Sequence, residues 1–428
     1  MKAIIIAIHK DYIFNVERPL SLVKLYSVPL IVRMIYSLKS AGITDILILI
    51  GFEGKRILEL IGDGRDIGME IQYIEYSADA DISPTIPDRF LKEDLLIVYD
   101  NVVFDVEFVR IVIETMGSST FYLEGKPIGV YKLDRELLMN ICMKYHCMYV
   151  RELLHYIEES SNLAIIDVSA YLVESIELKR KVTPICIKII DKDSLKYAKK
   201  VIISRIQKGL HFTAYINKPL EDYIVYRIGD IPWITPNRIT ILANIAAFIV
   251  AILFLYWDLL PTSILAYIVG IVDGIDGKLA RARGITTKLG YIEHSLDMLY
   301  EQLWYACFFI RLAQLGYGYP ALILGLIVLA LDGFVRHCYM QFRQTMGKAL
   351  TSYTRFDRLF AKIDGRRNIY VLYMMAFTMF STPIYAIHAI FIHSSLTALV
   401  YTIRAIQHMN AADEVEKVKS FLKFVGKP

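Results

Sequence analysis

From the N-terminus to about residue 235, charged residues recur every few positions. No uncharged run there approaches the roughly 20 residues needed to cross a bilayer. Beyond residue 238 the texture changes: Ile239–Trp257, Leu259–Val272, Leu312–Leu331 and Asn368–Ile403 carry no Lys, Arg, Asp or Glu. With the mixed segment Leu289–Ile310, the pattern predicts six membrane helices, at 238–257, 260–282, 289–311, 317–337, 367–386 and 387–407. The first half instead alternates short apolar runs with helical spacing. Ala3–Ile8, Asp45–Gly51, Leu95–Tyr99 and Ile128–Tyr131 read as strands, and Pro29–Ala41 and a segment from about Asp134 as helices. Such alternation predicts a mostly parallel sheet covered on both faces. The expected fold is an α/β Rossmann-like domain (1–195), a connector with a juxtamembrane helix (196–235), an all-α six-helix transmembrane bundle (236–410) and a tail (411–428).

The connections between apolar segments give an orientation. The turn near Asp258 and Pro261 has no Lys or Arg, whereas the next connection carries Lys278, Arg281, Arg283 and Lys288. The fourth-to-fifth connection holds Arg343, Lys348, Arg355, Arg358, Lys362, Arg366 and Arg367, and the tail Lys417, Lys419, Lys423 and Lys427. By the positive-inside rule both termini face the cytoplasm, in an integral protein of the cell membrane. The chain is 55% apolar with a net charge of only +4, which excludes a disordered protein and a strongly basic nucleic-acid binder. The five cysteines are scattered, so no disulfide framework is expected; Cys142 and Cys147 flank His146 without completing a four-ligand metal site. The N-terminal apolar run is too short for a signal peptide.

Acids inside membrane segments are costly and therefore candidates for function. Asp273 and Asp276, three apart at the end of the second segment, share a helix face with Gly277 and Ala280, which leave that face without bulk. Glu293, Asp297 and Glu301 form a second stripe at intervals of four on the third segment. Two such helices facing each other would build an oxygen-rich cage suited to hard divalent cations.

The run Asp273-x2-Asp276-Gly277-x2-Ala280-Arg281-x8-Gly290 resembles the signature of the CDP-alcohol phosphotransferases. The resemblance covers roughly 217–407 and includes the lead-in Thr235-Pro236-Asn237-x2-Thr240. It implies transfer of a phospho-alcohol group from a CDP-alcohol to the hydroxyl of a polar or phosphorylated alcohol, with release of CMP. It also implies two divalent ions, Mg2+ or Mn2+, an active site at the cytoplasmic face among membrane lipids, and a homodimer. By the same resemblance Asp273, Asp276, Glu293 and Asp297 hold metal, Asp297 is the general base, and Asp273, Gly277, Ala280, Arg281 and Asn237 serve the nucleotide. The family spaces its last two acids as Gly-x3-Asp-x3-Asp, and strict counting from Gly290 lands on His294 and Met298. Glu293-x3-Asp297 keeps the chemistry one residue earlier; His294 is the alternative ligand. Glu301, a turn further on, reads as the partner of a basic side chain, and the basic fourth-to-fifth connection as an acceptor-phosphate site or simply a topology signal.

Residues 1 to about 195 are similar to sugar-phosphate nucleotidyltransferases through Arg18-Pro19-Leu20, Val28-Pro29-Leu30-Ile31, Ala41-Gly42-Ile43-x-Asp45-Ile46, Gly62-Asp63-Gly64 and Gly129-Val130-Tyr131. Asp100 stands where a metal-binding Asp is expected. The glycine-rich loop of active members is replaced by His9-Lys10-Asp11-Tyr12-Ile13-Phe14, and the first glycine of the chain is Gly42. The layout is similar to fusions of an inositol-phosphate cytidylyltransferase with a di-inositol-phosphate-phosphate synthase. A non-catalytic first domain is expected here. The rivals are a bifunctional enzyme that also makes the CDP-alcohol, and a non-enzymatic ion transporter or scaffold.

Overall fold

The computed structural model describes residues 1–77, 83–145, 149–159, 163–175, 180–207, 211–285 and 289–425. His146, Cys147, Lys288 and Lys427 lie outside the described residues. The chain forms two compact units, Met1–Gln207 with Tyr226–Trp233 and Arg281–Ile285, and Lys208–Val225 with Ile234–Ala280 and Thr286–Pro428.

The first unit is built on a seven-stranded sheet. Numbering only its strands, these are β1 (Lys2–Ala7), β2 (Asp45–Ile50), β3 (Glu70–Glu75), β4 (Leu95–Tyr99), β5 (Ser119–Leu123), β6 (Lys126–Leu133) and β7 (Ala164–Asp167). Their order is β7-β5-β6-β4-β1-β2-β3. Pairing is parallel except around β6, which runs antiparallel to both β5 and β4. Successive residues Ala3 to Ala7, Ile46 to Ile50 and Leu95 to Val98 are all buried, so these strands are covered on both faces. The antiparallel strand arises from the hairpin at Glu124-Gly125, where Gly125 has φ 75°. Two adjacent residues with positive φ suit a tight hairpin, and its register links β5 to β6 directly.

Helix α1 (Leu30–Ser40) buries Leu30, Ile31, Met34, Ile35 and Leu38 at helical spacing. Helix α2 (Val106–Glu114) is capped by Asp105, whose Oδ1 accepts from the Phe108 N–H (2.9 Å) and Oδ2 from the Ile185 N–H (3.0 Å). Burial pushes the Asp105 carboxyl up to about 7. Helix α3 (Lys192–Arg205) starts in a capping box of Asp191 and Ser194. It runs across residue 195, so the first unit continues to Gln207.

The second unit is helical: α4 (Phe212–Ile228), α5 (Pro236–Tyr256), α6 (Leu259–Arg283), α7 (Leu289–Leu312), α8 (Gly318–Met346), α9 (Arg367–Met379) and α10 (Ile384–Val425), with α4 and α6 ending in the first. Four stretches among the described residues are long and apolar enough to span a membrane: Pro236–Tyr256, Leu259–Arg283, Ile292–Met346 and Ile384–Glu416. The third contains α7 and α8, which meet at a break where Gly316 (φ 99°) and Gly318 (φ 63°) adopt backbone conformations that other residues avoid. The expected helix at 367–386 is shorter than the pattern predicts. It has 13 residues, about 20 Å, because the chain breaks at Ser381-Thr382-Pro383, where the proline supplies no N–H. The tail drawn from 411 is instead continuous with α10. Aromatic packing fills the bundle core: Phe254, Trp304, Tyr305, Phe308 and Tyr370 are buried together, and the Trp304 Nε1–H donates to the Ala247 carbonyl at 2.7 Å.

Candidate functional site

Thr235 caps α5 by accepting from the Arg238 N–H (3.3 Å), and Pro236 occupies the first helical position, where its missing N–H costs nothing. That start sets the phase of α5, so that Thr240 points inward and its hydroxyl donates to Asp276 Oδ2. Asp276 Oδ1 accepts from the Gly277 N–H. Asp273, one turn earlier on α6, accepts from Arg367 Nη2 on Oδ2 at 2.7 Å, while its Oδ1 is buried without a partner.

On α7, Glu293 and Asp297 lie on the face that meets Asp273. One ligand oxygen from each of Asp273, Glu293 and Asp297 falls within 4.8 Å of the others, and this is the metal-capable group found among the described residues. Asp297 Oδ1, like Asp273 Oδ1, is buried and unpartnered. Unsatisfied buried carboxylate oxygens are expensive, and hard oxygen donors converging in this way fit a divalent cation. His294 is not a member of the group, although its Nδ1 lies 3.6 Å from Asp297 Oδ2; its side chain is 78% exposed. Asp276 stands outside the three-residue group, its oxygens used as described.

The remaining predicted residues are not members of this three-residue group. Gly290 is half-buried in the first turn of α7, Ala280 half-buried on α6, and Asn237 exposed in the first turn of α5. Arg281 belongs to the first unit, where its Nε donates to the Ile206 carbonyl at 2.8 Å. Glu301 is buried and takes two arginines, Arg336 and Arg367, the latter at 3.2 Å.

Three contributors were hidden in the sequence. Lys278, inside the signature, is completely buried between Glu221 (3.2 Å) and Asp222 (2.5 Å) of α4. A Cβ on Gly274 would lie 2.8 Å from Glu221 Oε1, so α4 docks against a bare stretch of α6. Arg367 reads as one more topology charge, yet it is buried against Asp273 and Glu301. One signal pointed to it. An arginine in the first turn of a helix is opposed by the helix dipole and needs a compensating anion. Its neighbour Arg366 pairs with Asp364 at 2.5 Å, so two members of the basic connection are already engaged.

In the first unit, the loop after β1 is held by its own acid. Asp11 Oδ1 accepts from the Ile13 N–H (2.9 Å) and Phe14 N–H (3.0 Å), and Oδ2 from Arg18 Nε (2.9 Å). Asp100, fully buried at the end of β4, bonds His9 Nδ1 at 2.9 Å. That hydrogen bond raises the His9 imidazole above its ordinary value, and burial raises the Asp100 carboxyl.

Residues 233–403 match the family model of CDP-alcohol phosphatidyltransferases. The C-terminal half carries a domain of that family. Domains of this family are enzymes that transfer substituted phosphate groups. A curated relative, the bifunctional IPC transferase and DIPP synthase of Thermococcus kodakarensis, is 26% identical over 223 residues. The match covers 51% of this chain and 48% of the relative, so the chain spans about half the length of the curated protein it matches. Among solved structures, the Mycobacterium tuberculosis phosphatidylinositol phosphate synthase with CDP-DAG bound aligns over 45% of this chain and 94% of its own, at 18% identity and TM-score 0.35. A Bacillus anthracis protein assigned as a glucose-1-phosphate thymidylyltransferase aligns over 46% and 93%, at 15% identity and TM-score 0.32. HddC of Yersinia pseudotuberculosis aligns over 46% and 97%, at 11% identity and TM-score 0.32.

Proposed function

We propose that the chain is a membrane-embedded, divalent-metal-dependent enzyme that moves a phospho-alcohol group from a CDP-alcohol to an acceptor hydroxyl and releases CMP. The convergence of Asp273, Glu293 and Asp297, with unpartnered oxygens on two of them, carries this reading, because it lies within the family-matched residues. Asp273, Glu293 and Asp297, together with Asp276, would hold divalent cations, which when bound would neutralise the diphosphate. The acceptor oxygen bonds to the phosphorus that bears the alcohol, and the bond from that phosphorus to the CMP oxygen breaks. Asp297 takes the acceptor's hydroxyl proton. Thr240 orients Asp276. Gly277 and Ala280 give the nucleotide a close approach to the backbone of α6, with Arg281 and Asn237 as further contacts. The active site faces the cytoplasm, and the enzyme works as a homodimer.

The first unit is non-catalytic in this reading. Loop N–H groups that could cradle a phosphate are spent on Asp11, and Arg18 is spent with them. The bifunctional name of the relative favours the second reading, in which this unit makes the CDP-alcohol, CDP-inositol being the candidate. A screen of CDP-linked donors against inositol phosphate, glycerol phosphate and lipid alcohols, read by metal-dependent CMP formation, tests the main reading. No CMP from any pair would sink it.

A further inference from the structure

Arg367 is the centre of a buried ladder of alternating charge. Its guanidinium donates to Asp273 Oδ2 at 2.7 Å, lies 3.2 Å from Glu301 Oε1 and donates to the Tyr300 hydroxyl, with its carbon 5.5 Å from the centre of that ring. Glu301 passes its other oxygen to Arg336, whose Nε donates to Asp332 Oδ2 at 2.8 Å. The side chains of Asp273, Arg367, Glu301 and Asp332 are 5–13% exposed, so water does little to screen them. One planar fork thereby ties α6, α7 and α9 together, which a lysine's single ammonium could not do with the same geometry.

The ladder decides how Asp273 presents itself. Three carboxylates within 4.8 Å repel one another, and a side chain free to rotate would turn away. Arg367 grips Oδ2 and leaves Oδ1 buried and unpartnered. We infer that Arg367 is a positioning residue: it holds one oxygen of Asp273 so that the other stays available to a divalent cation, and the Glu301–Arg336–Asp332 ladder holds Arg367 in turn. This rests on the metal-dependent reading above.

The test is Mn2+ binding to the full-length protein in detergent, followed by electron paramagnetic resonance without substrate. Replacing Arg367 by Met should raise the Mn2+ dissociation constant at least about 10-fold, the scale of lost outer-shell partners. Arg367→Lys should lie between Met and wild type. Arg336→Met, which touches no member of the acid cluster, should weaken binding in the same direction by a smaller factor. A cation that only offset negative charge would behave oppositely, since removing it would tighten Mn2+. Unchanged or tighter binding in Arg367→Met therefore overturns the inference. If that variant does not fold, Arg336→Met decides by the same criterion. Wild-type protein that binds no Mn2+, or binds it equally well with Asp297→Asn, overturns the metal reading itself. Mn2+ binding that Asp297→Asn weakens and Arg367→Met does not would overturn this inference alone.

Discussion

Both units bury carboxylates, but they use them differently. In the first, Asp11 and Asp105 spend both oxygens on nearby backbone N–H groups and, for Asp11, on Arg18. Asp100 stands between the extremes, with one oxygen on His9 and one without a partner. In the helical unit, Asp273 and Asp297 each keep an oxygen that the fold leaves unsatisfied, and they keep it next to a third acid. An acid whose oxygens all accept local hydrogen bonds, as at Asp11 and Asp105, needs no ligand; Asp276, satisfied by Thr240 and Gly277, owes its proposed place in the ligand set to the family resemblance alone. An acid left unsatisfied beside like charges is retained at a cost, and the cost points to a ligand. In the proposed reading, that difference separates a unit whose acids are mostly satisfied from one whose acids await a ligand.

The sharpest way to break this contrast is at Asp297. Asn there should lower CMP release by at least about 100-fold, the lower end for loss of a general base, and Asp276→Ala should abolish it. Retained turnover would return the cluster to a structural role. The same Asp297→Asn chain, supplied with CTP and inositol phosphate, should release no pyrophosphate above background. Release would show that the Asp11-bound loop still handles a nucleotide and would restore the two-activity reading.

Lys278→Met tests whether burial in the helical unit is structural where it is paired. Leaving buried Glu221 without its cation, while Asp222 keeps Lys218 (2.5 Å), should cost roughly 3 kcal/mol, read as a lower melting temperature in detergent. In the first unit, Asp105 gives a pH signature. Its folded value, about 7, lies above the ordinary 3.8, so its contribution to stability is complete below about pH 4 and is lost as pH rises towards 7. The loss has a ceiling of about 4 kcal/mol. The melting-temperature advantage of wild type over Asp105→Asn should therefore shrink between pH 4.5 and 7.5. A gap that widens would contradict the assigned cause.

Much of this was legible in the chain because two periodicities carry the information. Uncharged runs marked α5, α6, α8 and α10, and short apolar runs marked β1, β2 and β4. The antiparallel β6 was not legible as such, since direction depends on which strand lies beside it and not on its own residues. The short α9 was partly legible: the Ser381-Thr382-Pro383 break was visible, but hydropathy says nothing about where a helix stops before a proline. At the site, the acids stood out because carboxylates are rare in apolar segments. Their partners did not. Arg367 and Lys278 sit among residues of like charge, where the positive-inside rule explains every one of them equally well; the place of Arg367 in the first turn of α9 was the one hint, and three-dimensional placement shows which cation is buried.

Helix α10 has a mechanical consequence. At 42 residues it is about 63 Å long, some twice the thickness of a hydrocarbon core. Only its first part, to Ile403, is uncharged; the next turns are anchored by Arg404 and His408 on Asp357, and the helix runs on to Val425. A small tilt at the buried end sweeps the far end through a much larger arc. A spin label there would amplify movements of the bundle that are too slight to see at the acids themselves.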